Sequence, residues 1–186
     1  MFLQLAVFDL DYTIWEPEMY QINGPPKLTE VESSTNSEKK IVTDQDGTPI
    51  NMFDGASYAI SMINKLRKTH NIKMAVASRT DEADWAYKCM DLMTLHPPHD
   101  ETTLGDSCDF AQIEEGDKQK HFRQFHNQTM IPYENMAFFD NEWRNIQSVR
   151  KLGVKCFYTP DGMTREAWDD AMREFEIDLE DIDDSN

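Results

Sequence analysis

The chain is poor in the residues that most often announce a function. Its three cysteines, Cys89, Cys108 and Cys156, stand far apart, without the spacing that a zinc site or a disulfide framework needs, so reduced thiols are expected. No cysteine has an arginine six residues later, which excludes a thiol-phosphatase loop. With 7 glycines in 186 residues there is no Walker loop and no dinucleotide fingerprint. No apolar run is long enough to span a bilayer and no charged-then-apolar leader opens the chain, so the cytosol, or else the nucleus, is the expected location. Positive charge is scarce: 18 Lys and Arg face 35 Asp and Glu, a formal net charge of -17. Such a field repels nucleic acid and anionic membranes alike. From Glu174 onward the chain holds seven acids and no Lys or Arg. Residues 176–186 therefore read as a solvated tail on a single domain over 1–175, expected to be a monomer.

What is present begins with Leu3, Leu5, Ala6, Val7 and Phe8, a short apolar segment of the kind a central parallel strand requires. It ends in Asp9 and Asp11, within an Asp-x-Asp-x-Thr motif. Residues two apart on a strand point the same way, so both acids leave its carboxyl end, where open α/β sheets bind ligands. Carboxylates this close need a cation between them or a proton on one of them. Phosphoryl transfer uses both, with Asp9 as nucleophile and Asp11 as proton donor and acceptor. A strand running into an Asx turn with both acids solvated is the competing reading.

Residues 16–53 form a polar insert punctuated by Gly24-Pro25-Pro26 and Asp46-Gly47. Residues 41–43 and 49–52, flanking Asp46-Gly47, read as a small hairpin able to fold over the site, and residues 30–40 as a loop. Asp54 or Ser57 is a candidate cap for a helix to about Lys68. A second buried strand over 72–77 ends at Ser78, whose hydroxyl, with Arg79 and Thr80 beside it, suits a phosphate oxygen. Thr80 or Asp81 opens a further helix to about Met93. His96 and His99, split by two prolines, lack a third ligand and are not read as a metal site. Lys118 and Lys120 begin an amphipathic helix, and chemistry alone does not choose between them as the cation facing Asp9. Residues 109–113 read as a short third strand, and a fourth, 136–139, ends in Asp140-Asn141. If it lies parallel beside the first, it brings two oxygen donors to the two acids, a donor set that suits magnesium.

The segment from Phe8 to Trp15 resembles the first motif of the haloacid dehalogenase superfamily, and within it the eukaryotic magnesium-dependent phosphatases. The likeness continues at Ala77-Ser78-Arg79-Thr80, at Gly116-Asp117-Lys118 with His121-Phe122, at Phe138-Phe139-Asp140-Asn141-Glu142 with Arg144-Asn145, at Leu152-Gly153-Val154 and at Asp161-Gly162-Met163. It implies a doubly wound parallel α/β core with no lid domain, only a small flap after the first strand. It also implies magnesium on Asp9, on the backbone carbonyl of Asp11 and on the Asp140-Asn141 pair, with phosphate held by Ser78, Arg79 and Lys118. The implied activity is hydrolysis of phosphate monoesters through an aspartyl-phosphate, on a phosphoprotein such as a phosphotyrosine protein or on a small phosphorylated molecule such as a sugar phosphate. A non-catalytic phosphate-binding or docking module on the same fold is the alternative from another class. Asn141 departs from the Asp-Asp pair of most relatives, although Asp-Asn pairs resemble those of small phosphatases acting on polymerase tails. Arg144-Asn145 is expected to brace the site.

Overall fold

A computed structural model describes residues 2–32, 38–96 and 102–177. β1 (Leu5–Phe8) leads into the insert, which holds β2 (Trp15–Glu16), β3 (Lys27–Glu32), β4 (Glu38–Thr43) and β5 (Asn51–Met52). There follow α1 (Asp54–His70), β6 (Lys73–Ser78), α2 (Ala83–Leu92), the short α3 (Leu104–Ser107) and β7 (Phe110–Ile113). The chain then runs through α4 (Lys118–Thr129), β8 (Met136–Asp140), α5 (Trp143–Arg150), β9 (Lys155–Tyr158) and α6 (Arg165–Glu174).

Five strands pair in parallel in the order β7-β6-β1-β8-β9, the doubly wound α/β architecture expected. The chain winds outward from β1 to β6 and β7, then returns across to β8. The order thus reverses beside β1, and the crevice above the carboxyl ends of β1 and β8 is the switch point at which such sheets bind ligands. Strand alternation divides the core between the two faces. Leu5, Val7, Ala75, Ala77, Met136 and Phe138 meet Phe122 and Phe125 of α4 and Ile146 and Val149 of α5. Ala6, Phe8, Met74, Val76, Ala137 and Phe139 pack in the other layer with Ile60, Ile63, Met90, Trp168 and Met172. Phe8 and Phe139, opposite each other in register, stack at 4.9 Å.

The insert differs from the expected hairpin. Asp46-Gly47 does make a turn, with Gly47 at φ 89° and the Asp44 carboxylate accepting from the N–H groups of Asp46, Thr48 and Asn23. The strands beyond it diverge after a single bridge at Thr43 and Pro49, which is closed by the bonds from the Asp44 N–H to the Thr48 carbonyl and from the Ile50 N–H to the Val42 carbonyl. β4 instead runs antiparallel to β3, and β5 to β2. Residues 30–32 and 38–40, read as loop, are therefore strand, and 33–37 lie outside the described residues.

Helix starts differ too. Asp54 is already inside α1 and neither it nor Ser57 caps it; the Ser57 hydroxyl donates to the His96 carbonyl and accepts from the His96 N–H. α2 begins at Ala83 rather than at Thr80 or Asp81, since the Thr80 N–H and hydroxyl serve the loop after Ser78. His99 lies outside the described residues, as does the tail beyond Ile177. Among the described residues no helix is long and apolar enough to cross a membrane.

α1 enters against the loop before α6 at Gly55, where a Cβ would overlap the Met163 carbonyl oxygen and the Thr164 backbone. Neither wall is a flexible side-chain end, so Gly55→Ala is expected to cost about 1–3 kcal/mol, the usual range for overpacking a core. Urea denaturation measures it, and an unchanged midpoint would show that the two segments separate freely.

Candidate active site

Strand parity sets the site. Asp9 continues the set Leu5, Val7, and Asp140 continues Met136, Phe138, so both carboxylates face α4. There Asp117 caps the helix by accepting from the Gln119 N–H, and the first helical residue, Lys118, reaches inward. Its ammonium lies 2.6 Å from Asp9 Oδ1 and 2.5 Å from Asp140 Oδ2 and is 1% exposed. Lys120 instead pairs at the surface with Glu114, so the structure places Lys118 at the acids.

One ammonium between two buried carboxylates leaves an excess negative charge. Burial raises the Asp9 pKa well above the usual carboxylate range, Asp140 adds to the rise, and the pull of Lys118 offsets it only in part. Burial alone would lower Lys118, but the charges of Asp9 and Asp140 outweigh it and keep the ammonium protonated. Asp140 is fully engaged: Oδ1 accepts from the Glu142 N–H and the Asn145 amide, and Oδ2 from Asn145 and Lys118.

Asp11 has a separate environment. After β1 the chain makes a tight loop, with Ile14 and Trp15 donating to the Leu10 carbonyl and Tyr12 at φ 52°, a conformation that costs a side-chain-bearing residue on the order of 1 kcal/mol. The loop turns Asp11 toward the insert, where Oδ1 accepts from the Trp15 indole N–H at 2.8 Å and the Met19 N–H at 3.2 Å. Burial lifts its pKa to about 6 against the lowering effect of these two bonds.

At the end of β8, Thr13 Oγ1 accepts from the Asn141 N–H. One terminal atom of the Asn141 amide then lies 3.3 Å from both the Asp11 carbonyl oxygen and Asp9 Oδ2. With the amide nitrogen there, it donates to both. With the oxygen there, three oxygens face one another, an arrangement that calls for a cation among them. Among the described residues no three His, Cys, Asp or Glu side chains form a metal cage, so a cation here would take mixed oxygen donors.

Asp9, Asp11, Ser78, Arg79, Lys118 and Asn141 line one cleft of about 180 Å³, joined by Glu18, Tyr20, Thr80, Asp81, Glu142, Arg144 and Asn145. Six of the seven residues expected at the site thus converge; Asp140 stands behind Lys118. His96 does not line this cleft; its backbone N–H and carbonyl bond the Ser57 hydroxyl. Sequence reading missed Trp15 as the partner of Asp11, although it stands four residues on in the quoted motif. It also missed Glu18 and Tyr20, for which no sequence signal stands out.

The chain belongs to the acid phosphatase family, whose profile matches residues 1–178, within the haloacid dehalogenase-like hydrolases. It is similar to Magnesium-dependent phosphatase 1 of Homo sapiens, 30% identical over 174 residues that cover 92% of this chain and 86% of the relative. A HAD-like hydrolase superfamily protein of Schizosaccharomyces pombe is 29% identical over 154 residues, covering 82% and 83%. Among solved structures, a haloacid dehalogenase-like family hydrolase from Xanthomonas campestris shares the fold at a TM-score of 0.59 and 13% identity, with 93% of this chain and 91% of that chain covered.

Behind Lys118, His121 is fully buried, with only the backbone and charge of Glu114, among the described residues, favouring its protonated form. Burial, and then the Lys118 charge, lower its pKa from 6.5 to about 4. The unfolded chain therefore binds a proton that the folded chain refuses between those values. Its contribution is intact above pH 6.5 and is lost as pH falls toward 4, at most about 3 kcal/mol. In urea titrations at pH 7 and pH 4.5, His121→Phe is expected to lose less stability on acidification than the wild type. Parallel losses would refute the assignment.

Proposed function

We propose that this chain is a magnesium-dependent phosphatase that hydrolyses phosphate monoesters through an aspartyl-phosphate on Asp9. The observation that carries the reading is the pairing of an ammonium-held carboxylate, Asp9, with a second, separately held carboxylate, Asp11, in one cleft. Asp9 Oδ1 forms the bond to phosphorus as the bond to the ester oxygen breaks, and Lys118 offsets the charge at the attacking oxygen. The Asp11 carboxyl gives its proton to the leaving oxygen. It then takes a proton from the water whose oxygen attacks phosphorus, which frees inorganic phosphate and restores Asp9. A pKa near 6 suits a group that must serve as acid and then as base. Ser78 and Arg79, at the end of the neighbouring strand β6, supply donors to the phosphoryl oxygens.

Asp9 Oδ2, the Asp11 carbonyl and the Asn141 amide oxygen would hold magnesium, which supplies charge neutralisation for the transferring phosphoryl group. Asp140 positions Lys118 and is not itself a ligand on this reading. With only the insert beside the cleft among the described residues, large esters can enter.

Asp9→Asn is expected to abolish turnover, while Asp11→Asn slows it about 10²–10⁴-fold, the range for a lost general acid. Steady-state assays of purified variants check this, and appreciable turnover by the Asp9 variant would end the covalent mechanism.

Asn141 fills a coordination position without bringing charge. A unit charge at about 4 Å is worth on the order of 4 kcal/mol at an effective dielectric of 20, and desolvation and repulsion from Asp9 return most of it. Asn141→Asp should therefore lower the magnesium midpoint by up to about tenfold, and Asn141→Ala should raise it. Calorimetric magnesium titration decides the matter, and identical isotherms would remove Asn141 from the metal position.

A further inference from the structure

Two guanidinium groups in the cleft share a single carboxylate. Arg144 grips Glu142 with both arms of its fork, Nε to Oε2 at 2.9 Å and Nη2 to Oε1 at 3.0 Å. Arg79 meets the same carboxylate only loosely, Nη1 to Oε2 at 3.4 Å, with the Asn145 amide oxygen at 3.5 Å. Its Nε is buried with no partner among the described residues. All four residues line the cleft that holds Asp9. Arg79, Arg144 and Asn145 also wall a neighbouring cavity of about 280 Å³, completed by Gly116, Asp117 and Ser148.

We infer that Arg144, together with Arg79, forms a second anion position beside the phosphoryl site, that Glu142 occupies it as an internal stand-in, and that the preferred substrates are phosphate esters whose leaving group carries a carboxylate or a second phosphate. This inference rests on the phosphatase reading above and names the substrate class for that site.

The geometry supports it in three ways. The bidentate contact shows that a planar carboxylate fits Arg144 in the cleft, the recognition for which a guanidinium fork is suited and a lysine is not. Two cations to one anion leave one positive charge unmatched within the trio, and Arg79, whose Nη1 contact with Glu142 is loose at 3.4 Å, stands between this position and the phosphoryl site and can serve both. The cavity beyond the pair leaves room for the rest of the leaving group. Of the other acids lining the cleft and the neighbouring cavity, Glu18 and Asp81 are carried by the insert and by the loop after β6, and Asp117, which interacts with Arg79, caps α4, whereas Arg144 sits in the first turn of α5.

The test compares kcat/KM for phenyl phosphate and carboxyphenyl phosphate in magnesium buffer. The wild type is expected to favour the carboxylated ester by about tenfold, the scale of one charge-assisted bidentate contact. Arg144→Ala should bring the ratio near unity, Arg144→Lys should restore it only in part, and Glu142→Gln, which removes the internal competitor, should enlarge it. Added salt should shrink the wild-type ratio, as the position is partly open to solvent. Equal ratios in the wild type and in both Arg144→Ala and Glu142→Gln would overturn the inference while leaving the phosphatase reading intact. Failure of the wild type to hydrolyse either ester would overturn the phosphatase reading itself.

Discussion

The Lys118 ammonium between Asp9 and Asp140 is the contact on which the rest of the arrangement depends. It can form only because β1 and β8 are parallel neighbours whose last core pair is Phe8 and Phe139, which brings the next residue of each strand to the same level on the α4 face. It also requires α4 to start where it does, so that the first helical residue reaches the sheet edge. Two buried acids and one buried base do not balance. A charge that cannot be solvated must be paired or lost to a proton, and one terminal atom of the Asn141 amide stands 3.3 Å from both Asp9 Oδ2 and the Asp11 carbonyl oxygen, where on the proposed reading a divalent cation would restore the balance. On that reading the nucleophile, its counter-charge and the metal position are three consequences of one electrostatic constraint.

Asp11 escapes that constraint. It lies outside the pairing with Lys118, bonded to the indole of Trp15 and the amide of Met19, and its pKa is set by burial rather than by an ion pair. Two carboxylates one residue apart thereby have different surroundings, the condition under which they can take different tasks. The same bonds join Asp11 to the insert that carries Glu18 and Tyr20 to the cleft.

Much of this was legible from the sequence, and the exceptions have physical causes. A strand buried on both faces must be a continuous apolar run, so β1, β6 and β8 and the polar residues at their ends could be read directly. Lys118 and Lys120 stand in the same helical turn with the same chemistry, and only the packing of α4 on the sheet separates them. Asp140 and Asn141 likewise differ by whether the pleat continues: it does through Asp140, which faces α4, and it ends at Asn141, which turns to the cleft. β3 and β4 carry Lys, Glu and Thr along much of their length, so their pattern resembled a loop. Trp15 looked like core and is fully buried, but its indole N–H gives it a second role that apolar patterning does not reveal.

The central claim is that Asp9 accepts the phosphoryl group. It is tested most directly by acid-quenching the magnesium-loaded enzyme during turnover of a phosphate ester and mapping the phosphorylated peptide by mass spectrometry. A hydroxylamine-labile phosphoryl group on Asp9 is the predicted result. Phosphate bound to another residue, or rapid product formation with no protein-bound phosphate at any time, would contradict the account.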